Sequence, residues 1–165
     1  SSVLFVVMCI TSIVEQTAHT SVTNVKYKWR ISRLVLDILI GISMGRYEKC
    51  GKVVFLNDYS DEEVSWALSL LETIEQEGDI DNLTKLIFLN RCGGKYLYGD
   101  CEVVHGLTNI RMNKSLNQDE ATFKNTLMHE LIHAFSDVPR GHGKLWKQYA
   151  KKYSLILGTI IKRVQ

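Results

Sequence analysis

The apolar positions of this chain fall into short periodic stretches separated by polar turns. From Trp29 to Ser43, residues Ile31, Leu34, Val35, Ile38, Leu39 and Ile42 recur on one helical stripe, which predicts a core helix. Val3 to Ile10 is a continuous apolar run, read as a buried strand or the start of a helix. It is too short to cross a bilayer, and no Lys or Arg precedes it as in a secretory signal. Val53 to Leu56, between Gly51 and the turn-forming pair Asn57-Asp58, predicts a short buried strand.

Ser60 and Glu63 have the spacing of a capping box, and Gly78 is a natural stop, so a helix is expected between them. Its Val64, Ala67, Leu68, Leu71 and Ile74 face the core, while Glu62, Glu72, Glu75 and Glu77 form a solvated face. The pattern then turns β-like at Leu86 to Leu89, Lys95 to Tyr98, Cys101 to Val104 and Asn109 to Met112. Gly93-Gly94 and Gly99-Asp100 read as hairpin or bulge positions, which implies a small, mainly antiparallel sheet. Asn117 and Glu120 repeat the cap spacing, and Phe123, Leu127, Leu131 and Phe135 give the following helix a buried face. The expected fold class is α+β, with residues 1–60 as an extension packed on the same domain as a core spanning 61–165.

Composition narrows this picture only slightly. With 45% hydrophobic and 23% charged residues, neither disorder nor a membrane-spanning bundle is suggested. A net charge of +2 is too small to announce a nucleic-acid partner by itself. Cys9, Cys50, Cys92 and Cys101 contain no C-x-x-C pair, which removes zinc ribbons and thioredoxin-type motifs. They read as buried thiols, the alternative being a Cys92 to Cys101 disulfide across a hairpin in an oxidising compartment.

The chemistry concentrates at His129-Glu130-Leu131-Ile132-His133. Two histidines four residues apart stand one turn apart on one helix face, where both rings can reach a single Zn2+ at about 2.0–2.1 Å. A carboxylate at Glu130, beside them, is placed to take a proton from water that zinc has made acidic, so it reads as the general base. For a third ligand, no Glu follows Glu130, and Asp137 would lie roughly 12 Å along the axis from His129 in a continuous helix. The longer metzincin spacing fails because position 136 is Ser and position 139 is Pro. His142 remains, between Gly141 and Gly143 and after Pro139, where the chain can end the helix and fold back. A histidine that merely closes a turn is the alternative.

His129 to Phe135 followed by Gly141-His-Gly-Lys-Leu-Trp146 resembles the SprT-like (Spartan-type) metallopeptidase family, in which H-E-x-x-H-A precedes a later H-G-x-x-aromatic. Asn90-Arg-Cys-Gly-Gly through Asn109-Ile-Arg-Met-Asn113 is similar to the small sheet ahead of the active helix in that family. The likeness spans about residues 61–155. It implies a zincin-like fold, a zinc held by His129, His133 and His142, Glu130 as catalytic base, and cleavage of protein or peptide substrates, including proteins attached to DNA.

Beyond Asp137 there is no acidic residue, while Arg140, Lys144, Lys147, Lys151, Lys152, Lys162 and Arg163 accumulate. This segment could hold DNA, or be a solvated helix face and tail. Trp146 reads as a core anchor behind the metal helix, His105 as an auxiliary site residue or a structural one, and Tyr96 and Tyr98 as one face of a strand that a peptide could extend. The expected activity is that of a zinc endopeptidase working in the cytoplasm or nucleus, with secretion left open and no membrane partner. The alternative is a zincin-fold binding protein for nucleic acid or a partner, with zinc kept for stability.

Overall fold

Helix and strand boundaries follow the periodicities closely in the middle and C-terminal parts of the chain. The computed structural model describes residues 10–11, 35–36, 47–48, 53–55, 59–83, 87–104, 107–136 and 141–161. The elements are β1 (Tyr47–Glu48), β2 (Val53–Phe55), α1 (Asp61–Gln76), β3 (Ile87–Cys92), β4 (Gly99–Val104), β5 (Leu107–Asn113), α2 (Glu120–Phe135) and α3 (Lys144–Leu157), with a 3-10 turn at Ile80–Asn82. Of the expected helix at 29–43 only Val35 and Leu36 are described, both helical, and of the run at 3–10 only Ile10; the rest lies outside the described residues.

The fold is α+β, but its sheet is mixed. Strand order is β1-β2-β3-β5-β4, with β1/β2 and β5/β4 antiparallel and β2/β3 and β3/β5 parallel. This corrects the expectation of a mainly antiparallel sheet, and the cause is connectivity. Helix α1 links β2 to β3 and is long enough to return the chain for parallel pairing. After β3 the chain passes over to the sheet edge, forms β4 there, and only then returns to insert β5 between β4 and β3. Short strands between glycines look like successive hairpins in sequence, yet here one of the junctions is a crossover.

The segment expected as a strand at Lys95 to Tyr98 is a bent loop. Asn113 and Asn117 compete for its carbonyls. Asn113 Nδ2 donates to Gly94 O and Leu97 O, both at 2.9 Å, while Tyr98 O accepts from Asn113 N at 2.9 Å and Asn117 Nδ2 at 2.8 Å. With those acceptors occupied, a strand ladder cannot form, and Tyr96 is left 84% exposed. Asn117 is therefore no helix cap. The cap of α2 is Asp119, whose side chain accepts from Thr122 N, and Asn117 is buried against the strand end.

Three helices cover one sheet face. Val53, Phe55, Leu89, Ile110 and Met112 form a core with Ala67, Leu70, Leu71 and Ile74 of α1, Phe123, Leu127 and Leu131 of α2, and Trp146, Ala150 and Tyr153 of α3. Strand alternation puts Val54, Phe88 and Asn109, which are in register, on the other face, and they too are buried. Cys92 and Cys101 form no disulfide with each other; they lie on β3 and β4, with β5 between. No helix among the described residues is long and apolar enough to cross a membrane.

Helix α1 starts as its sequence predicts. Ser60 Oγ accepts from Glu63 N and Glu63 Oε1 accepts from Ser60 N, each at 3.1 Å. Glu63 also accepts two hydrogen bonds from Arg91 Nη2 on β3, at 2.7 and 2.8 Å, and the Arg91 guanidinium lies 3.8 Å from the ring centre of Tyr59. The phenol of Tyr59 donates to Asn90 O. Burial pushes the Glu63 carboxyl up, but the Arg91 and Ser60 hydrogen bonds outweigh it and hold the group below its usual value of 4.5.

A depressed carboxyl contributes stability that is complete above the unfolded value and lost as the pH falls through the lower folded one. Replacing Arg91 with Met should therefore cost about 3–5 kcal/mol in urea denaturation at neutral pH, because a buried carboxylate is left without its partner. The gap between the two proteins should narrow as the pH drops below about 4.5. A gap that stays constant through that range would remove the ion pair as its cause.

Candidate metal centre

Helix α2 is buried around most of its circumference from Thr126 to Phe135, so His129, Glu130 and His133 are held in the interior at 5%, 4% and 6% exposure. The helix stops at Phe135. Ser136 caps it, with its N–H on Ile132 O at 3.0 Å and its hydroxyl on the same carbonyl at 2.8 Å. The chain reappears at Gly141, whose φ of +93° is a left-handed conformation that favours glycine. His142 follows, and Gly143 caps α3. Asp137, Pro139 and Arg140 lie outside the described residues, as do His19 and His105.

His142 stands against the face of α2. His129 Nε2 is 3.2 Å from His133 Nε2 and 3.2 Å from His142 Nε2, and the candidate ligand atoms of the three all lie within 4.8 Å of one another. Two imidazole nitrogens bound to one tetrahedral Zn2+ at 2.0–2.1 Å would be separated by about 3.4 Å. The side chains thus stand at ligand spacing, and three imidazoles are a donor set suited to a borderline metal such as zinc. The three histidines could bind a metal ion. Trp146, one turn into α3, supports them from behind: it is 2% exposed, and its ring centre lies 4.3 Å from His142, 4.9 Å from His129 and 5.9 Å from His133.

Helix α3 has its own anchorage. Asp79 Oδ2, in the α1–β3 connection, accepts from Lys152 Nζ and from Tyr153 OH, each at 2.7 Å, and Asn82 Nδ2 donates to Tyr149 OH at 2.9 Å. Lys152 also lies 3.6 Å from Glu77. Of the lysines counted as a basic face, Lys152 is therefore engaged in fixing α3, whereas Lys144, Lys147 and Lys151 are exposed.

Glu130 stands beside the histidines and next to the start of β4. Burial pushes its carboxyl up to about 8, and the negative charge of Asp100 adds to the effect. Asp100 is itself gripped by Arg111, with Nε at 2.7 Å and Nη2 at 2.6 Å. Neither Asp100 nor Gly99 stood out in the sequence, where the pair looked like turn residues. Both belong to β4, and Gly99 has an ordinary φ. Its value is room, since an added Cβ would meet Thr126 and Glu130.

A cluster of three imidazoles on and beside a buried helix defines a protein with a candidate mononuclear metal site. The chain belongs to the SprT-like family, whose sequence model matches residues 63–163, a stretch that contains α2, α3, all but the first two residues of α1, and the three candidate histidines. That family is associated with metallopeptidase-like domains. No curated protein matches the chain.

Titrating metal-free protein with Zn2+ should give about one site per chain and raise the thermal midpoint, since a ligand that binds only the folded state stabilises it by about 2.7 kcal/mol at one hundred times its Kd. His142→Ala should lose most of both effects with little change in the metal-free midpoint. Equal zinc affinity in that variant would remove His142 from the site.

Proposed function

We propose that the protein is a zinc-dependent endopeptidase of zincin-like fold, in which His129, His133 and His142 hold the metal and Glu130 is the general base. The observation that carries this reading is the convergence of three imidazole nitrogens at ligand spacing, with a buried carboxylate next to them on the same helix. When bound, zinc supplies Lewis acidity, making water acidic enough to be deprotonated near neutral pH and polarising a carbonyl.

The chain's own groups account for the rest. The imidazoles bind as neutral donors, and Trp146 packs against all three rings and limits their movement. Glu130 has a carboxyl whose burial raises it toward neutrality, which suits a group that must first accept a proton and then return it to a leaving amine. Asp100 keeps negative charge nearby and favours the protonated form of Glu130 in the second half of that cycle. Strand β4 is a sheet edge among the described residues and starts beside Glu130, so an extended segment of a protein substrate can pair with it.

A nucleic-acid role is supported by one further observation. Lys144, Lys147 and Lys151 are exposed at helical spacing on α3, which carries no acidic residue, and α3 begins next to the third histidine. The class of substrate in this reading is protein, and DNA acts as the surface on which it is met. The opposing reading is a binding protein that keeps its metal for stability.

Glu130→Gln should lower cleavage of an unfolded protein by about 10²–10⁴-fold and leave zinc content unchanged. Full activity in that variant would dismiss Glu130 as the base, and zinc-loaded wild type that cleaves no protein, with or without single-stranded DNA, would favour the binding protein. Replacing Lys144, Lys147 and Lys151 with Gln should weaken single-stranded DNA binding and reduce the slope of log affinity against log salt by about 2. An unchanged slope would dismiss the α3 surface.

A further inference from the structure

We propose that Gly99 is a positioning residue for Glu130: its missing side chain lets the start of β4 lie against α2 and so fixes where the Glu130 carboxylate stands relative to the three histidines. This rests on the hydrolytic reading above and adds to it a residue that makes no contact with metal. A Cβ built on Gly99 would lie 2.9 Å from Thr126 Cγ2, 3.0 Å from Arg111 O and 3.4 Å from Glu130 Cγ. The other described glycines, Gly78, Gly93, Gly94, Gly141, Gly143 and Gly158, would meet nothing within 4 Å. Gly99 is thus the one described glycine whose lack of a side chain is demanded by its neighbours, and two of those neighbours are one turn apart on α2.

An added methyl group has few ways out. The strand cannot easily retreat, because Gly99 is in register with Met112 of β5 and the preceding carbonyl, Tyr98 O, is held by Asn113 N and Asn117 Nδ2. Thr126 and Glu130 are themselves 1% and 4% exposed, so neither can swing into solvent. The shortest contact is with Thr126 of α2 and Glu130 Cγ is already at contact distance, so a shift of α2 at Thr126 carries with it the Glu130 stem one turn further on. The three atoms nearest the added methyl belong to Thr126, Arg111 and Glu130, and in this proposal the carboxylate shifts more than the histidine rings.

The test compares zinc-loaded wild type, Gly99→Ala and the double variant Gly99→Ala/Thr126→Ser, the serine lacking the Cγ2 that makes the shortest contact. Misplacing a catalytic group by about 1 Å costs on the order of 10²-fold, so Gly99→Ala should lose kcat by about that factor with KM and zinc stoichiometry unchanged. The double variant should recover at least about tenfold of the loss. Wild-type kcat in Gly99→Ala would overturn the assignment, as would a loss of kcat that travels with a loss of zinc and does not recover in the double variant. Crystal structures of zinc-loaded wild type and Gly99→Ala separate this from the hydrolytic reading. If wild type cleaves nothing, that reading fails by itself; a Glu130 carboxylate shifted relative to the histidine Nε2 atoms still sustains the role of Gly99, and an unmoved one ends it.

Discussion

The candidate site depends on a helix that, from Thr126 to Phe135, turns almost no side of itself to water. From Thr126 to Phe135, helix α2 lies against the sheet, α1 and α3, so its polar side chains at 129, 130 and 133 must be accommodated in the interior. Imidazoles and a carboxylate placed there lose hydration, and the cost is tolerable only where they meet each other or a ligand. The convergence of His142 on His129 and the packing of Trp146 behind both follow from that constraint. A solvent-facing helix with the same five residues would leave the rings free to rotate and Glu130 in its ordinary titration range.

The same burial would couple the protonation of the site to any metal held there. Without a cation, desolvation and Asp100 act together on Glu130, and its carboxyl rises to about 8. A cation held by the three histidines would act in the opposite sense, favouring the carboxylate. Binding of a metal there would be linked to release of protons from ligands that are protonated without it. The buried Glu63 and Arg91 pair obeys different rules, because its two charges are fixed partners and hold the α1 start to β3 in either state of the site.

The site was more legible in sequence than the sheet that carries it. Histidines at 129, 133 and 142 announce themselves because few chemistries require that residue at that spacing, and the glycines flanking 142 explain how the chain returns. Strand direction has no such mark: Ile87–Cys92 and Leu107–Asn113 look alike whichever way they pair, and the parallel match arises from where α1 and the crossover deliver them. Glu63 is the cap its spacing predicts and an ion-pair partner as well, a role that depends on Arg91, 28 residues away. Lys152 belongs by sequence to the basic run but is held by Asp79, and Gly99, turn-like by sequence, marks a close approach. Each of these contacts joins residues distant in sequence, which local spacing does not encode.

The loop ahead of β4 is held by its carbonyl oxygens, at Gly94, Leu97 and Tyr98, through two asparagines, one at the end of the neighbouring strand β5 and one on the approach to α2. A carbonyl is common to all twenty residue types, so this grip does not depend on which side chains the loop displays. Tyr96 and Leu97, which project from it, are consequently free to diverge without loosening the strand that follows. Side chains at 96 and 97 can thus change while Asn113 and Asn117 keep the path of the loop, whereas position 94, with a φ of +120°, stays suited to glycine.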